Sequence, residues 1–178
     1  MVQEKLDYFF KYKKTWLFSL LSLLVCIDFF SKNYVFNNFD LYQSVEIISF
    51  LKISFIKNYG IAFSLFNDSS LNLNMILSLL VFMICSYLFY QVFFRPSSMK
   101  SKIFKNLSFI FILSGGIGNL LDRLIYGYVI DFIDITFNPY VFNLADSYVT
   151  IGLLMYLIFS FKKGLNAVSY THLRAHET

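Results

Sequence analysis

Two aspartates, Asp131 and Asp146, could form a pair for acid–base chemistry if the chain brings them together. Asp131 follows a long apolar run, and Asp146 stands at the start of another. Two carboxyl groups held within hydrogen-bond distance cannot both ionise, so one of them keeps a proton. The ionised member can then accept a proton from a water while the other donates one to a scissile carbonyl. Such a pair would hydrolyse a peptide bond without metal, serine or histidine.

Spacing alone leaves other interpretations open. Asp134 is as suitable a partner for Asp146 as Asp131 is. Asn143 lies three residues before Asp146, so the two side chains could simply cap a helix and complement its dipole. A proton or ion pathway across a membrane would use the same acids.

Other catalytic chemistries have little support in the chain. Both histidines lie in the polar stretch 167–178 (AVSYTHLRAHET), whose composition departs from the rest. We interpret residues 1–166 as one domain and 167–178 as a non-native extension or a frayed tail. Cys26 and Cys85 lie inside apolar runs without a CxxC pattern, and both are expected to pack as small hydrophobes. We therefore expect no metal and no cofactor.

Composition predicts the elements that must position these residues. Hydrophobic residues make up 57% of the 178 residues, with 23 Phe and 13 Tyr, more than one small soluble core can bury. A bilayer core about 30 Å thick requires about 20 residues of apolar helix. Four stretches meet or approach that length: 16–34, 75–94, 107–121 and 145–161. We expect four transmembrane helices in contact with membrane lipids.

The distribution of charge indicates an orientation. Basic residues precede the first stretch, separate the second from the third and follow the fourth, which puts both termini in the cytoplasm. Most acids fall on the opposite side, so the site is expected to face outward. The net charge of +4 is spread over short segments rather than gathered in one patch, and no nucleic-acid partner is expected.

The outward segments are expected to contain a small β-sheet. Residues 51–55 (LKISF) alternate apolar and polar, as a half-buried strand does. Residues 129–135 (VIDFIDI) are rich in β-branched and aromatic side chains and could pair with this strand or lie at the membrane surface. Asn58 and Gly60 supply turn residues between them. The predicted fold class is an all-α membrane protein with four transmembrane helices and a small extracytoplasmic β-sheet element.

More polar residues cluster at the helix ends, where burial in lipid would be costly. Asp28 and Lys32 are spaced i,i+4, as in a helix-surface ion pair. Asn119 and Asp122 share one face of the third helix, and Arg123 follows as a permanent cation. Packing between helices and snorkelling of charged groups to the membrane surface explain these residues about as well as a functional site does.

Five segments in order carry a family resemblance: DFFSK (28–32), NYGIAFS (58–64), GGIGNLLDR (115–123), GYVIDF (127–132) and FNLADS (142–147). They are similar to D-x-x-x-K, N-x-G-x-A-F-S, G-x-x-x-N-x-x-D-R, G-x-V-x-D-F and F-N-x-A-D-S of the bacterial lipoprotein signal peptidases (signal peptidase II). The resemblance covers about residues 16–161. Tyr59 and Ile61 stand where that family often has smaller residues, which alters the shape of one loop.

The resemblance implies an aspartic endopeptidase of the bacterial inner membrane whose catalytic pair corresponds to Asp131 and Asp146. Its supporting polar residues correspond to a larger set: Asp28, Lys32, Asn58, Gly60, Asn119, Arg123 and Asn143. Its substrates are prolipoproteins with a diacylglyceryl cysteine, cut just before that cysteine, and globomycin-type cyclic peptides inhibit it. A proton- or ion-coupled transport protein is the competing interpretation. It predicts polar residues through the whole membrane depth, whereas 75–94 carries no charge.

Overall fold

The structure is a computed structural model that describes the backbone of residues 2–60, 70–95 and 102–174. It describes the side chains of residues 14–60, 74–95 and 103–162. Within these ranges the elements are α1 (Val2–Asn38), β1 (Ser44–Ile48), β2 (Leu51–Asn58), α2 (Ser70–Phe93), α3 (Lys102–Tyr126), β3 (Val129–Ile135) and α4 (Leu144–Arg174). The interpretation of 167–178 as a tail stays a prediction.

Four helical spans are long and apolar enough to cross a membrane: Lys14–Asn38, Asn74–Phe93, Ile103–Tyr126 and Leu144–Lys162. Each contains or closely overlaps one of the predicted stretches. All four spans expose large apolar side chains, such as Phe30 on α1, Phe82 on α2, Leu124 on α3 and Leu154 on α4. Apolar area of this extent is stable in contact with lipid rather than water. The predicted fold class is confirmed, and the chain is a multi-pass membrane protein.

α3 is the central helix, because it packs against α1, α2 and α4. Ile110 and Leu113 of α3 lie in a core that also contains Leu17 of α1 and Cys85 of α2. Cys85 therefore packs as expected. The expectation for Cys26 is wrong, because this residue lies on an exposed, lipid-facing side of α1.

The sheet lies at the end of the bundle where α1 and α3 finish and α4 begins, here called the sheet end. Its order is β1–β2–β3, and both pairings are antiparallel. β2 pairs with β3, as predicted, and Ile56 lies opposite Asp131. β1 is not indicated by the sequence analysis, because its five residues are all exposed and bury no apolar face that would mark a strand.

Gly115 allows the start of α4 to approach α3 closely. A Cβ at this position would collide with the carbonyl oxygen of Ala145 and would lie 2.7 Å from Val149 Cγ2. A backbone carbonyl cannot rotate away from such a contact. The absence of a side chain at residue 115 therefore brings the first turn of α4 against α3.

We expect Gly115→Ala to lower the free energy of unfolding by about 1–3 kcal/mol, because the added methyl group overpacks this contact. Thermal unfolding of the purified variant in detergent would measure the effect as a lower Tm. Leu124→Ala on the same helix is the matched control, since Leu124 is highly exposed and its truncation should change Tm little. Equal Tm values for Gly115→Ala and the wild type would contradict the packing described.

Candidate active site

Asp131 lies in β3 and is almost fully buried, with 2% of its surface exposed. Its Oδ1 accepts a hydrogen bond from Asn143 Nδ2 at 2.6 Å, and its Oδ2 accepts one from Asn58 Nδ2 at 2.8 Å. Burial is the main cause that raises the pKa of Asp131 to about 6, and the charge of Asp146 adds to the rise. The two amide donors and Lys32 oppose it. Asp131 therefore keeps a proton at pH values where an exposed aspartate has lost it.

Asp146 is the third residue of α4 and is half-buried. Its Oδ1 accepts a hydrogen bond from Asn119 Nδ2 at 2.7 Å, and its Oδ2 faces the backbone N–H of Asn143 at 3.4 Å. The first turn of α4 directs the positive end of the helix dipole toward this side chain. Its carboxyl group is therefore held at the start of α4 and remains partly open to the surface.

Asn143 connects the two aspartates. It forms a reciprocal cap with Asp146, in which Asn143 Oδ1 accepts the Asp146 N–H at 2.9 Å and the Asp146 carboxylate faces the Asn143 N–H. Its Nδ2 is left to donate to Asp131. The helix-cap interpretation and the site interpretation therefore describe the same side chain: the cap orients Asn143 so that its amide reaches Asp131.

Asp134 lies apart from this group. Its Oδ2 accepts a hydrogen bond from Ser54 Oγ at 3.0 Å, and its neighbour across the strands is Lys52. Residues three apart on a strand point to opposite faces, so β3 cannot direct both acids toward Asn143. Of the two partners that spacing left open, the structure brings only Asp131 to Asn143 and Asp146.

Asn58 and Gly60 form the turn that ends β2. Asn58 Oδ1 accepts the Gly60 N–H at 2.8 Å, while its Nδ2 donates to Asp131. Gly60 has φ +83°, the left-handed region that residues with a Cβ rarely adopt. The turn thus holds the amide of Asn58 toward Asp131. The rest of the predicted segment, residues 61–64, lies outside the described residues.

A buried cluster of charges adjoins the aspartate pair. Lys32 Nζ lies 2.8 Å from Asp28 Oδ2 and 3.0 Å from Asp122 Oδ2. The i,i+4 ion pair of Asp28 and Lys32 is thus present, and it is buried because α1 packs this face against α3. Sequence reasoning does not assign Asp122 to the site, although its spacing of three residues from Asn119 indicates a shared helix face.

Arg123 is half-buried and lies within electrostatic reach of Asp146, Asp131 and Asp122. Among the described side chains it forms no ion pair within 4 Å, so its guanidinium is available to another group. In the same part of the chain, no three His, Cys, Asp or Glu side chains converge as metal ligands would. That the reaction needs no metal or cofactor stays a prediction.

Four membrane spans with two aspartates linked through Asn143 at one end are the arrangement that an integral-membrane aspartic peptidase requires. The family model described as signal peptidase (SPase) II matches residues 20–162. The chain belongs to the signal peptidase II family.

Individual relatives agree with this assignment. The lipoprotein signal peptidase of Wigglesworthia glossinidia brevipalpis is 37% identical over 132 residues, which are 72% of this chain and 83% of that protein. The lipoprotein signal peptidase of Psychromonas ingrahamii is 34% identical over 149 residues, 82% of this chain and 84% of that protein. A bacterial membrane enzyme solved by the in meso method at 1.9 Å matches with a TM-score of 0.70 and 25% identity, over 80% of this chain and 90% of that one. These comparisons do not support a transport protein.

Proposed function

We propose that this protein removes the signal peptide from prolipoproteins that carry a diacylglyceryl cysteine, cutting just before that cysteine, and that Asp131 and Asp146 are its catalytic residues. The observation that carries the proposal is the contact of Asn143 with both aspartates at the sheet end of a four-span membrane protein. The name shared by the relatives, lipoprotein signal peptidase, supports the substrate class.

The two aspartates have different surroundings, and these suggest different roles. The half-buried Asp146 accepts a proton from a water, whose oxygen attacks the scissile carbonyl carbon. The buried Asp131 donates its proton to the carbonyl oxygen, which gives a neutral tetrahedral diol. As the C–N bond breaks, Asp146 passes its proton to the leaving amine and a hydroxyl proton returns to Asp131. The pair ends with the single proton with which it began.

The neighbouring polar residues position this pair. Asn119 and Asn143 each donate to one of the carboxylates, at 2.7 Å and 2.6 Å. Arg123 supplies a positive charge near both aspartates without neutralising either by direct contact. The hydrogen bonds fix the direction in which each carboxyl group faces the substrate, which is how such groups keep a productive geometry.

We infer that the site faces outward at headgroup depth in the inner membrane, with both termini in the cytoplasm. The basic residues before α1, between α2 and α3 and after α4 support this orientation. The acyl chains of the substrate would then lie against the apolar lipid-facing sides of the helices, beside membrane lipids. Globomycin-type cyclic peptides are expected to compete with the substrate at the same place.

The purified protein in detergent should cleave a diacylglyceryl-modified prolipoprotein and leave the unmodified precursor uncut. Mass spectrometry of both products should place the cut at the bond before the modified cysteine. Equal cleavage of the two precursors would overturn the proposed substrate class, and a cut elsewhere would overturn the proposed bond.

Cleavage should also depend on pH through Asp131. With a pKa of about 6, Asp131 is mostly protonated below that pH and mostly ionised above it. Because the mechanism needs this proton, kcat/KM should fall as pH rises through about 6, approaching about tenfold per unit, since kcat/KM reports the free enzyme. A rate profile over a range of buffers would measure this alkaline limb. A kcat/KM that rises through the same range would reverse the roles assigned to the two aspartates.

A further inference from the structure

We propose that Lys32 is a positioning residue, which fixes the separation of Asp131 and Asp146 and balances the charge around them. The inference rests on the proposed function, because it assumes that these two aspartates hydrolyse the substrate.

The ammonium group of Lys32 has three buried oxygen partners. Nζ lies 2.8 Å from Asp28 Oδ2, 3.0 Å from Asp122 Oδ2 and 3.0 Å from Asn119 Oδ1. An ammonium has three N–H donors and no acceptor, so these oxygens match its full capacity. The three charged side chains are 0–2% exposed. Among the described residues, Asp28 Oδ2 has this ion pair as its only partner.

Each acid of the cluster also holds one backbone amide next to a catalytic residue. Asp28 Oδ1 accepts the N–H of Ala145 at 2.8 Å, immediately before Asp146. Asp122 Oδ2 accepts the N–H of Ile130 at 3.0 Å, immediately before Asp131. Lys32 joins the two acids, so one cation determines how far apart these two points of the backbone lie.

The third contact of Lys32 orients an amide that touches Asp146. Because Lys32 can only donate, it requires the oxygen of Asn119 to face it. The amide nitrogen of Asn119 is then directed to Asp146 Oδ1, to which it donates at 2.7 Å. Lys32 thus influences the position of Asp146 in two ways: through Asp28, which holds the Ala145 N–H, and through the side chain of Asn119.

Stability alone does not account for this cluster. Well-packed neutral side chains of similar volume often replace buried ion groups without loss of stability. An arrangement that positions two reacting groups does account for it, since small displacements of such groups are costly to the rate.

Lys32 also belongs to the electrostatic environment of Asp131. The charged groups that act on Asp131 are Lys32 of α1, Arg123 of α3 and Asp146 of α4, and β2 contributes the neutral Asn58. The positive charge of Lys32 lowers the pKa of Asp131. Removing it should therefore favour the protonated form.

Lys32→Met and Lys32→Arg separate the positioning of the aspartates from the effect of the Lys32 charge on the pKa of Asp131. For Lys32→Met we expect kcat to fall about 10- to 100-fold with little change in KM, and the alkaline limb of kcat/KM to move to higher pH. Lys32→Arg keeps the charge but has a planar fork instead of a compact donor, so kcat should fall while the limb stays in place. Lys52→Met on β2 controls for loss of a cation at the sheet end and should change neither quantity.

Measuring Tm beside the pH profile distinguishes a role of Lys32 in positioning from a role in folding stability alone. Ile110→Ala removes core packing, and it should lower Tm without moving the limb. In the triple variant Lys32→Met, Asp28→Asn, Asp122→Asn, the Asn oxygens can still accept the two amides but nothing links them. We expect it to fold and to have a lower kcat. A wild-type kcat in Lys32→Met, Lys32→Arg or the triple variant would overturn the inference.

Assays of the purified variants distinguish failure of the Lys32 inference from failure of the proposed function. If Asp131→Asn is inactive while the triple variant has a wild-type kcat, only the role of Lys32 is wrong. If Asp131→Asn is active, the proposed function itself fails.

Discussion

Asp131→Asn and Asp146→Asn should each lower kcat/KM for prolipoprotein cleavage by about 10³-fold or more. The Asn at residue 131 cannot give a proton to the carbonyl oxygen, and the Asn at residue 146 cannot take one from the water. Residues that act as one unit are not additive, so the double variant should be about as slow as the slower single variant. Both substitutions keep the shape of the side chain, so the fold should persist.

The measurement is single-turnover cleavage of the diacylglyceryl-modified precursor by each variant, with Tm recorded in the same detergent. Glu46→Gln on the exposed β1 strand is the matched control, because it removes a carboxylate from the sheet end without touching the pair. Losses that multiply in the double variant would show that Asp131 and Asp146 act independently, which contradicts a shared-proton mechanism.

Asn143→Ala should lower kcat by about 10²-fold, the second largest loss that we expect. The substitution removes the 2.6 Å hydrogen bond to Asp131 and the cap on the Asp146 N–H at 2.9 Å. It also removes a donor that favours the ionised form of Asp131, so the alkaline limb of kcat/KM should move to higher pH. Loss of a helix cap alone would cost about 1 kcal/mol of stability and would not move the limb.

Steady-state cleavage over a series of pH values would measure both quantities for Asn143→Ala. Asn38→Ala is a suitable control, since Asn38 is exposed at the end of α1 and its amide donates to the carbonyl oxygen of Tyr34, away from both aspartates. Full turnover by Asn143→Ala would show that Asn143 caps the helix and does nothing more.

The sequence predicts the helices and the strand pair well because both depend on local patterns. Long apolar runs require helices in lipid, where each backbone polar group must be satisfied within its own segment. The alternation in 51–55 and the β-branched run in 129–135 likewise predict β2 and β3. β1 has no buried face, and no pattern reveals it.

The partner of Asp146 could not be derived from spacing, because it depends on which face of β3 each acid occupies. Asp131 and Asp134 are equivalent in the sequence, and only the pairing of β3 with β2 directs Asp131 to Asn58 and Asp134 to Ser54. The resemblance to a family indicated Asp131, whereas the residues themselves did not.

Local sequence patterns also did not indicate which side chains of α1 are buried. The spacing of Asp28 and Lys32 predicts an ion pair but not its burial. Contact with α3 encloses both residues, while Cys26, two residues before Asp28, faces lipid. Which side of an apolar helix meets protein is decided by the helices around it. A helix without a strong amphipathic pattern does not reveal that side.

The comparison of Asp131→Asn with Asp134→Asn tests the central claim most directly. The two acids lie three residues apart on one strand, and the same substitution is made in both. We predict that Asp134→Asn cleaves the diacylglyceryl-modified prolipoprotein at close to the wild-type rate, while Asp131→Asn, equally folded, leaves it uncut. Cleavage by Asp131→Asn at the wild-type rate would contradict the account, and loss of activity in Asp134→Asn alone would move the catalytic role to the other face of β3.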